Sequence, residues 1–214
     1  QIVVVLIALL FFTSSGSATI VLDENFSYPN GSLVSVSSGK WQTHSGTSGQ
    51  VTVSSGRILL TYADSEDINA QLAGQPYPDT ASITFYTRFT INFSTLPTAS
   101  GSYFAHFKDS GNVFRGEIFA LTEGASSGRF RIGISNAGSG AGAILPIDLE
   151  LNTDYRLVTR YSVSTRTTTL WLDPVSEESP SVTATDAASA ATTVAFAFRQ
   201  TAGIGTFSVD DLRI

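Results

Sequence analysis

Cysteine is absent from the 214 residues, and so is methionine. Without cysteine there is no disulfide framework, no thiolate metal site and no cysteine nucleophile. Charge is scarce as well: Asp, Glu, Lys and Arg make up 14% of the chain, and the net charge is −6. That balance lacks the basic stripe that phosphate backbones demand, which argues against nucleic acid as a partner. His44 and His106 are the only histidines for any catalytic triad or zinc site, and no G-x-S-x-G elbow occurs. The glycine-rich "NAGSGAGA" (Asn136 to Ala143) lacks the lysine and following helix of a phosphate loop, so it reads as a flexible turn. No internal repeat is present, and beyond the first residues no window shows sustained helical periodicity.

A long apolar run occurs once, "IVVVLIALLFF" from Ile2 to Phe12, followed by the small and polar "TSSGSA" ending at Ala18. This is the hydrophobic region and cleavage site of a secretory signal peptide lacking its basic start, too short for the ~20 apolar residues of a membrane span. The competing reading is a buried first strand. The expected division is a signal peptide over 1–18 and a single mature domain over 19–214, secreted or held at the cell surface, with no stable membrane span.

What the chain has is Gly, Ser, Thr, Val, Phe and Tyr in short runs closed by turn residues, the pattern of an all-β sandwich or barrel. In "TDYRLVTRYSV", Tyr155, Leu157, Thr159, Tyr161 and Val163 share one face, and Arg156, Val158 and Arg160 the other. "TTTLWLDP" follows, with Leu170 and Leu172 opposing Trp171 and Thr169, and "SVSTRT" between the two runs reads as a hairpin turn. Asp173 to Thr192 is the main loop region. In "SYFAHFKDSGNVFRGEIFA", a two-residue turn at Ser110–Gly111 pairs Phe107 with Phe114, His106 with Arg115, Phe104 with Glu117 and Tyr103 with Ile118. Tyr103, Ala105, Phe107, Phe114, Gly116 and Ile118 then face the core, and Phe104, His106, Lys108, Arg115, Glu117 and Phe119 face outward.

The chain's ends add a resemblance. "VLDENFSYPNGSL" with Trp41 at the start, "SEDINAQLAG", "YFAHFKD" and "TLWLDP" in the middle, and "GTFSVDDLRI" at the finish resemble the concanavalin A-like lectin/glucanase superfamily. The likeness is closer to laminin-G-like modules of secreted bacterial surface proteins, and it runs from Thr19 to Ile214. It implies a two-sheet antiparallel jelly-roll sandwich with a sugar-binding concave face. In related jelly rolls an Asp at the place of Asp210 helps bind a structural Ca²⁺, so Asp23 and Asp210 are candidate calcium ligands, with plain solvated acids the competing reading. Glucanases of this superfamily carry E-x-D-x-E on one strand, because retaining hydrolysis needs two carboxyl groups about 5–5.5 Å apart. The chain has no such triad: Asp148 and Glu150 read as turn-region surface, and Glu66 and Asp67, adjacent on a strand, would point opposite ways. No enzyme activity is therefore expected.

The candidate ligand-binding residues are Phe104, His106, Arg115, Glu117, Arg131, Trp171 and Arg199, polar groups that alternate with apolar neighbours and aromatic rings on which sugars can stack. The competing reading is the ordinary wet side of a sheet. The expected function is a non-catalytic lectin-like module that binds glycan or matrix polysaccharide. The alternatives are an adhesive or accessory module of a larger secreted hydrolase and, behind it, a divergent glycoside hydrolase.

Overall fold

The computed structural model describes residues 18–214; the expected signal segment falls almost wholly outside them. Sixteen strands and one helical turn follow in chain order: β1 (Asp23–Glu24), β2 (Gly31–Ser32), α1 (Leu33–Val36), β3 (Trp41–Ser45), β4 (Thr52–Ser54), β5 (Arg57–Thr61), β6 (Asp67–Gln71), β7 (Thr84–Thr95) and β8 (Ser102–Lys108). After these come β9 (Phe114–Leu121), β10 (Arg131–Ser135), β11 (Ala143–Ile144), β12 (Asp154–Ser162), β13 (Thr167–Leu172), β14 (Ser181–Thr183), β15 (Ala195–Arg199) and β16 (Thr206–Arg213). They form two antiparallel sheets. One has nine strands in the order β14-β13-β12-β7-β16-β5-β4-β2, with β1 also paired to β16; the other has seven in the order β11-β10-β9-β8-β15-β6-β3.

Alternation builds the core. Along β7, Phe85, Thr87, Phe89, Ile91 and Phe93 are buried while Thr84, Tyr86 and Arg88 face solvent. On β12 the expected set Leu157, Thr159 and Tyr161 points inward, and on β13 Leu170 does the same. The inner layer is dense in phenylalanine: Phe93 stacks on Phe207 with centroids 4.6 Å apart, and Phe107 stacks on Tyr161 at 5.2 Å. Each such ring removed from water contributes about 1.5–3 kcal/mol. No helix among the described residues is long and apolar enough to cross a membrane.

The ends close this layer. Val21 and Leu22 donate backbone hydrogen bonds to the Ile214 carbonyl, and Ile214 N–H donates back to Leu22. Glu24, buried, accepts from Phe26 N, Tyr28 OH and Trp41 Nε1 and pairs with Lys40 at 3.0 Å. The "DENFSY…W" signature therefore encodes a structural knot, in which one desolvated carboxylate satisfies three donors and a cation.

The β8–β9 hairpin departs from strict alternation. Instead of a two-residue turn, Asp109 to Val113 form the loop: Asp109 Oδ1 accepts from Gly111 N and Val113 N, and Asp109 N–H donates to the Val113 carbonyl. Lys108 consequently pairs with Phe114, Phe107 with Arg115, Ala105 with Ile118 and Tyr103 with Phe119, with register shifts between Tyr103 and Ala105 and between Ala105 and Phe107. Gly116 sits in a shift at φ +61°, a left-handed conformation that glycine adopts without penalty. The shifts move Phe104 into the core, where its ring meets Phe89, Phe93 and Phe207, while Tyr103 and Phe114 turn outward onto His106. The assignment of Phe104 to the outer face, and of Tyr103 and Phe114 to the core, is corrected accordingly.

Candidate functional site

The outer face of the seven-stranded sheet gathers an unusual set of side chains. β8 supplies Tyr103 and His106, β9 supplies Phe114, Glu117 and Phe119, β15 supplies Arg199, β6 supplies Asp67, and β3 supplies His44. The registers bring them side by side: Ala197 lies between His106 and Asn69, and Arg199 lies opposite Asp67. Tyr103 packs against Phe119 at 5.7 Å and against His106 at 5.5 Å, and Phe114 covers His106 at 4.1 Å. His44 meets His106 edge-on at 6.2 Å.

Arg199 is the hub. Its guanidinium carbon lies 4.3 Å from the Tyr103 ring centroid, a cation–π arrangement. Nη1 donates to Ser102 Oγ at 3.1 Å, and Nε stands 3.8 Å from Asp67 Oδ2. Its charge is felt at Asp67, Glu117, Tyr103, His44 and His106.

Burial dominates the electrostatics here. Desolvation pushes the Glu117 carboxyl up to about 7, assisted by the Asp186 carboxylate and opposed by Arg115 and Arg199. It raises Asp67 to about 6 against the pull of Arg199, and lifts the Tyr103 phenol as well. The same desolvation pulls His106 down to about 3 and His44 to about 4, so both imidazoles are neutral. His106 Nδ1 lies 3.1 Å from the Phe107 carbonyl. A carbonyl only accepts, so Nδ1 carries the proton and Nε2 offers a lone pair. That Nε2, Glu117 Oε2 and both ring nitrogens of His44 are buried without a hydrogen-bond partner. Each such atom left unsatisfied costs about 1–3 kcal/mol.

Of the seven residues singled out in the sequence, this face unites His106, Glu117 and Arg199. Arg131 lies farther along the sheet, opposite Leu121, with its guanidinium committed to Asp148 at 2.7 Å. Arg115 is not on the face. It stands opposite Phe107 and donates to the Ser189 carbonyl and hydroxyl and to the Phe114 carbonyl, pinning the loop between β14 and β15. Trp171 belongs to the other sheet, on β13, where Arg160 lies 5.6 Å above its ring and its Nε1 donates to the Glu177 carbonyl. Phe104 is core. Alternation in a single strand could not reveal that Trp171 and Glu117 lie on different sheets. Tyr103, His44 and Asp67 were missed for other reasons: two bulges inverted Tyr103, and His44, read as a loop residue, is the fourth residue of β3. Glu66 and Asp67 do point opposite ways: Glu66 inward to Thr43 Oγ1 and Val51 N, Asp67 outward toward Arg199.

Asp23 and Asp210 have separate partners. Asp23 accepts twice from Arg213 at 3.0 Å, and Asp210 lies 3.8 Å from Arg57 and caps Asp211 N. Among the described residues no group of three His, Cys, Asp or Glu side chains is gathered that could hold a metal ion. An apolar cavity of about 840 Å³ runs along β7 beside Ile20, Val21, Tyr77 and Ile214. It shares no residue with the polar cluster, and its lining holds one buried unpartnered atom, Thr87 Oγ1, where the cluster holds four and the titratable groups.

No family model and no curated protein matches the chain. Solved structures do. The lectin UEA-II complexed with galactose superposes over 91% of this chain and 98% of its own, at 15% identity and a TM-score of 0.54. The chain has the concanavalin A-like jelly-roll fold. Basic winged bean lectin with Tn-antigen shares the concanavalin A-like fold over 90% of this chain and 97% of its own, at 14% identity and a TM-score of 0.51. A polysaccharide lyase of family 18 shares it over 83% and 96%, at 8% identity and a TM-score of 0.50. The concanavalin A-like fold thus serves both sugar-binding and polysaccharide-cleaving proteins.

Proposed function

We propose that this chain is a non-catalytic polysaccharide-binding module working outside the cell, and that it grips its ligand on the outer face of the seven-stranded sheet. One observation carries the reading: Glu117 Oε2, His106 Nε2 and the His44 nitrogens are buried there without partners, beneath the half-buried Tyr103 ring. Sugars answer both needs. Hydroxyls satisfy buried acceptors and donors, and the apolar face of a pyranose stacks on an aromatic ring. The lectins of the same fold, one of them complexed with galactose, support the class of ligand.

Affinity electrophoresis through gels containing a panel of extracellular polysaccharides tests it. Retardation on at least one polymer is expected, lost in Tyr103→Ala and kept in Trp171→Ala, which alters the opposite sheet. Retention unaffected by Tyr103→Ala, or no retention on any polymer, would overturn it.

A catalytic reading has one observation in its favour. Glu117 is held near neutrality and can exchange a proton beside a tyrosine and a neutral imidazole. Release of shorter chains from a retained polymer, abolished in Glu117→Gln, would replace binding by cleavage.

A further inference from the structure

Resting on the proposed glycan site, the geometry points further, to the charge of the ligand. A guanidinium carries five N–H donors in a planar fork. Arg199 commits few of them: Nη1 to Ser102 Oγ, and Nε only to a distant pairing with Asp67 at 3.8 Å, too long for a hydrogen bond. Among the described residues Nη2 has no hydrogen-bond acceptor, and the side chain keeps a quarter of its surface exposed. The other arginines of this sheet are spent. Arg131 is bound to Asp148, and Arg115 makes three bonds to Ser189 and another to Phe114. An open fork, held over a tyrosine ring, is a receptor for a planar anion.

We infer that the ligand is a carboxylated glycan, a uronate chain, whose carboxylate docks on the free edge of Arg199 while a neighbouring ring hydroxyl donates to His106 Nε2. Both partners suit a hydroxy acid. His106 can only accept at Nε2, because Nδ1 is turned to the Phe107 carbonyl. Glu117, protonated by burial around neutrality, donates rather than repels and adds a carboxyl–carboxylate hydrogen bond. Tyr103 and His44, both half-buried, rim the cluster, with the Tyr103 ring under Arg199.

The charged groups facing the anion set its pH dependence. Glu117 feels the charges of Asp186, Arg115 and Arg199, and Asp67 those of Arg199 and, from the other side of its strand, Glu66. Lys108, on β8, donates to the Asp109 carbonyl and remains a cation nearby. Below about pH 6 both Asp67 and Glu117 are protonated and the arginine stands uncompensated; above about pH 7 both are anions beside the ligand carboxylate. Affinity is therefore highest in mild acid and falls through neutrality.

Titration calorimetry with a galacturonate or guluronate oligomer, the carboxyl-reduced form of the same oligomer, and a sulfated galactan tests the inference. The expected result is binding of a uronate oligomer, loss of about ten- to hundred-fold in affinity for its carboxyl-reduced form, and a similar loss in Arg199→Gln. Arg199→Lys, which keeps the charge but not the fork, guards against a folding artefact left by an unpaired Asp67, and it too is expected to lose affinity while melting normally. Glu117→Gln should flatten the decline of affinity between pH 6 and 8. Equal binding of the reduced oligomer would overturn this inference while leaving glycan binding intact. Binding confined to the sulfated polymer would overturn the carboxylate. Binding of none of the three, with retention on a neutral polysaccharide in gels, would overturn it too; failure on every polymer in the gels would remove the parent reading.

Discussion

The two sheets treat their outward polar groups differently. On the nine-stranded sheet charges meet opposite charges in the open. Arg57 forks onto Asp154, Arg160 reaches Glu177 and lies over Trp171, and Arg213 forks onto Asp23. On the seven-stranded sheet Arg131 still pairs with Asp148, but around His106 the polar groups sink below the surface and lose their partners. Among the described residues, four of the nine buried side-chain atoms without a hydrogen bond belong to His44, His106 and Glu117. A surface that only needs to stay wet pairs its charges cheaply. A surface that buries unpaired acceptors carries a stability cost, and such a cost marks a place where a ligand can supply the missing bonds.

The largest test of that contrast is in the layer between the sheets. Phe104→Ala should destabilise the protein by about 3–5 kcal/mol, measured by urea unfolding, because it opens a cavity against Phe89, Phe93 and Phe207. A change of a few tenths would return Phe104 to the surface and undo the bulged register.

A smaller effect separates the faces by pH. Asp67 and Glu117 are held protonated by burial, so ionising them costs stability. Their contribution is intact below the ordinary carboxylate range and is lost as pH climbs through about 6 and about 7. His44 and His106 are held neutral, so charging them costs stability as well. Their contribution is intact above the ordinary imidazole value and is lost as pH falls through about 4 and about 3. The melting temperature should peak in mild acid and decline on both sides, and Glu117→Gln should remove much of the alkaline decline. An unchanged profile in that variant would mean Glu117 is solvated after all.

The smallest effect belongs to the nine-stranded sheet. Arg160→Ala, which removes an exposed ion pair and a cation–π contact, should change unfolding free energy by about 1 kcal/mol or less. A larger loss would show that this face, too, depends on its polar groups.

Much of the architecture was legible in the sequence. Alternation in "TDYRLVTRYSV" and "TTTLWLDP" put Tyr155, Leu157, Thr159, Tyr161 and Val163 on one face and Leu170 with Leu172, and of these Leu157, Thr159, Tyr161, Val163 and Leu170 are buried; the terminal motifs belong to strands that meet. The site was legible only in part. His106 and Glu117 emerged from a hairpin whose assumed register was wrong, because nothing in "FAHF" announces a bulge whose cause is packing of Phe104 and Phe107 on the opposite layer. Arg199 stood out as polar among apolar neighbours. Its role depended on Tyr103, Asp67 and Ser102, which are remote in sequence and adjacent only through strand order. Trp171 looked equivalent to it because a period of two identifies a face without saying which sheet owns it, and Arg115 because the shifted register turns it away from that face.

One detail of strand order bears on how the molecule is made. The eight residues of β16, which come after the other fifteen strands of the domain, occupy the interior of the nine-stranded sheet, hydrogen-bonded to β7 on one side and to β5 and β1 on the other. Until they emerge, the ribosome-bound chain presents two raw sheet edges and an uncovered bed of phenylalanine, a surface open to promiscuous association. Assembly of this sheet must therefore wait for β16. A domain lacking residues 205–214 would lose the central plank of the sheet, and would be left as an aggregating intermediate instead of a smaller folded domain.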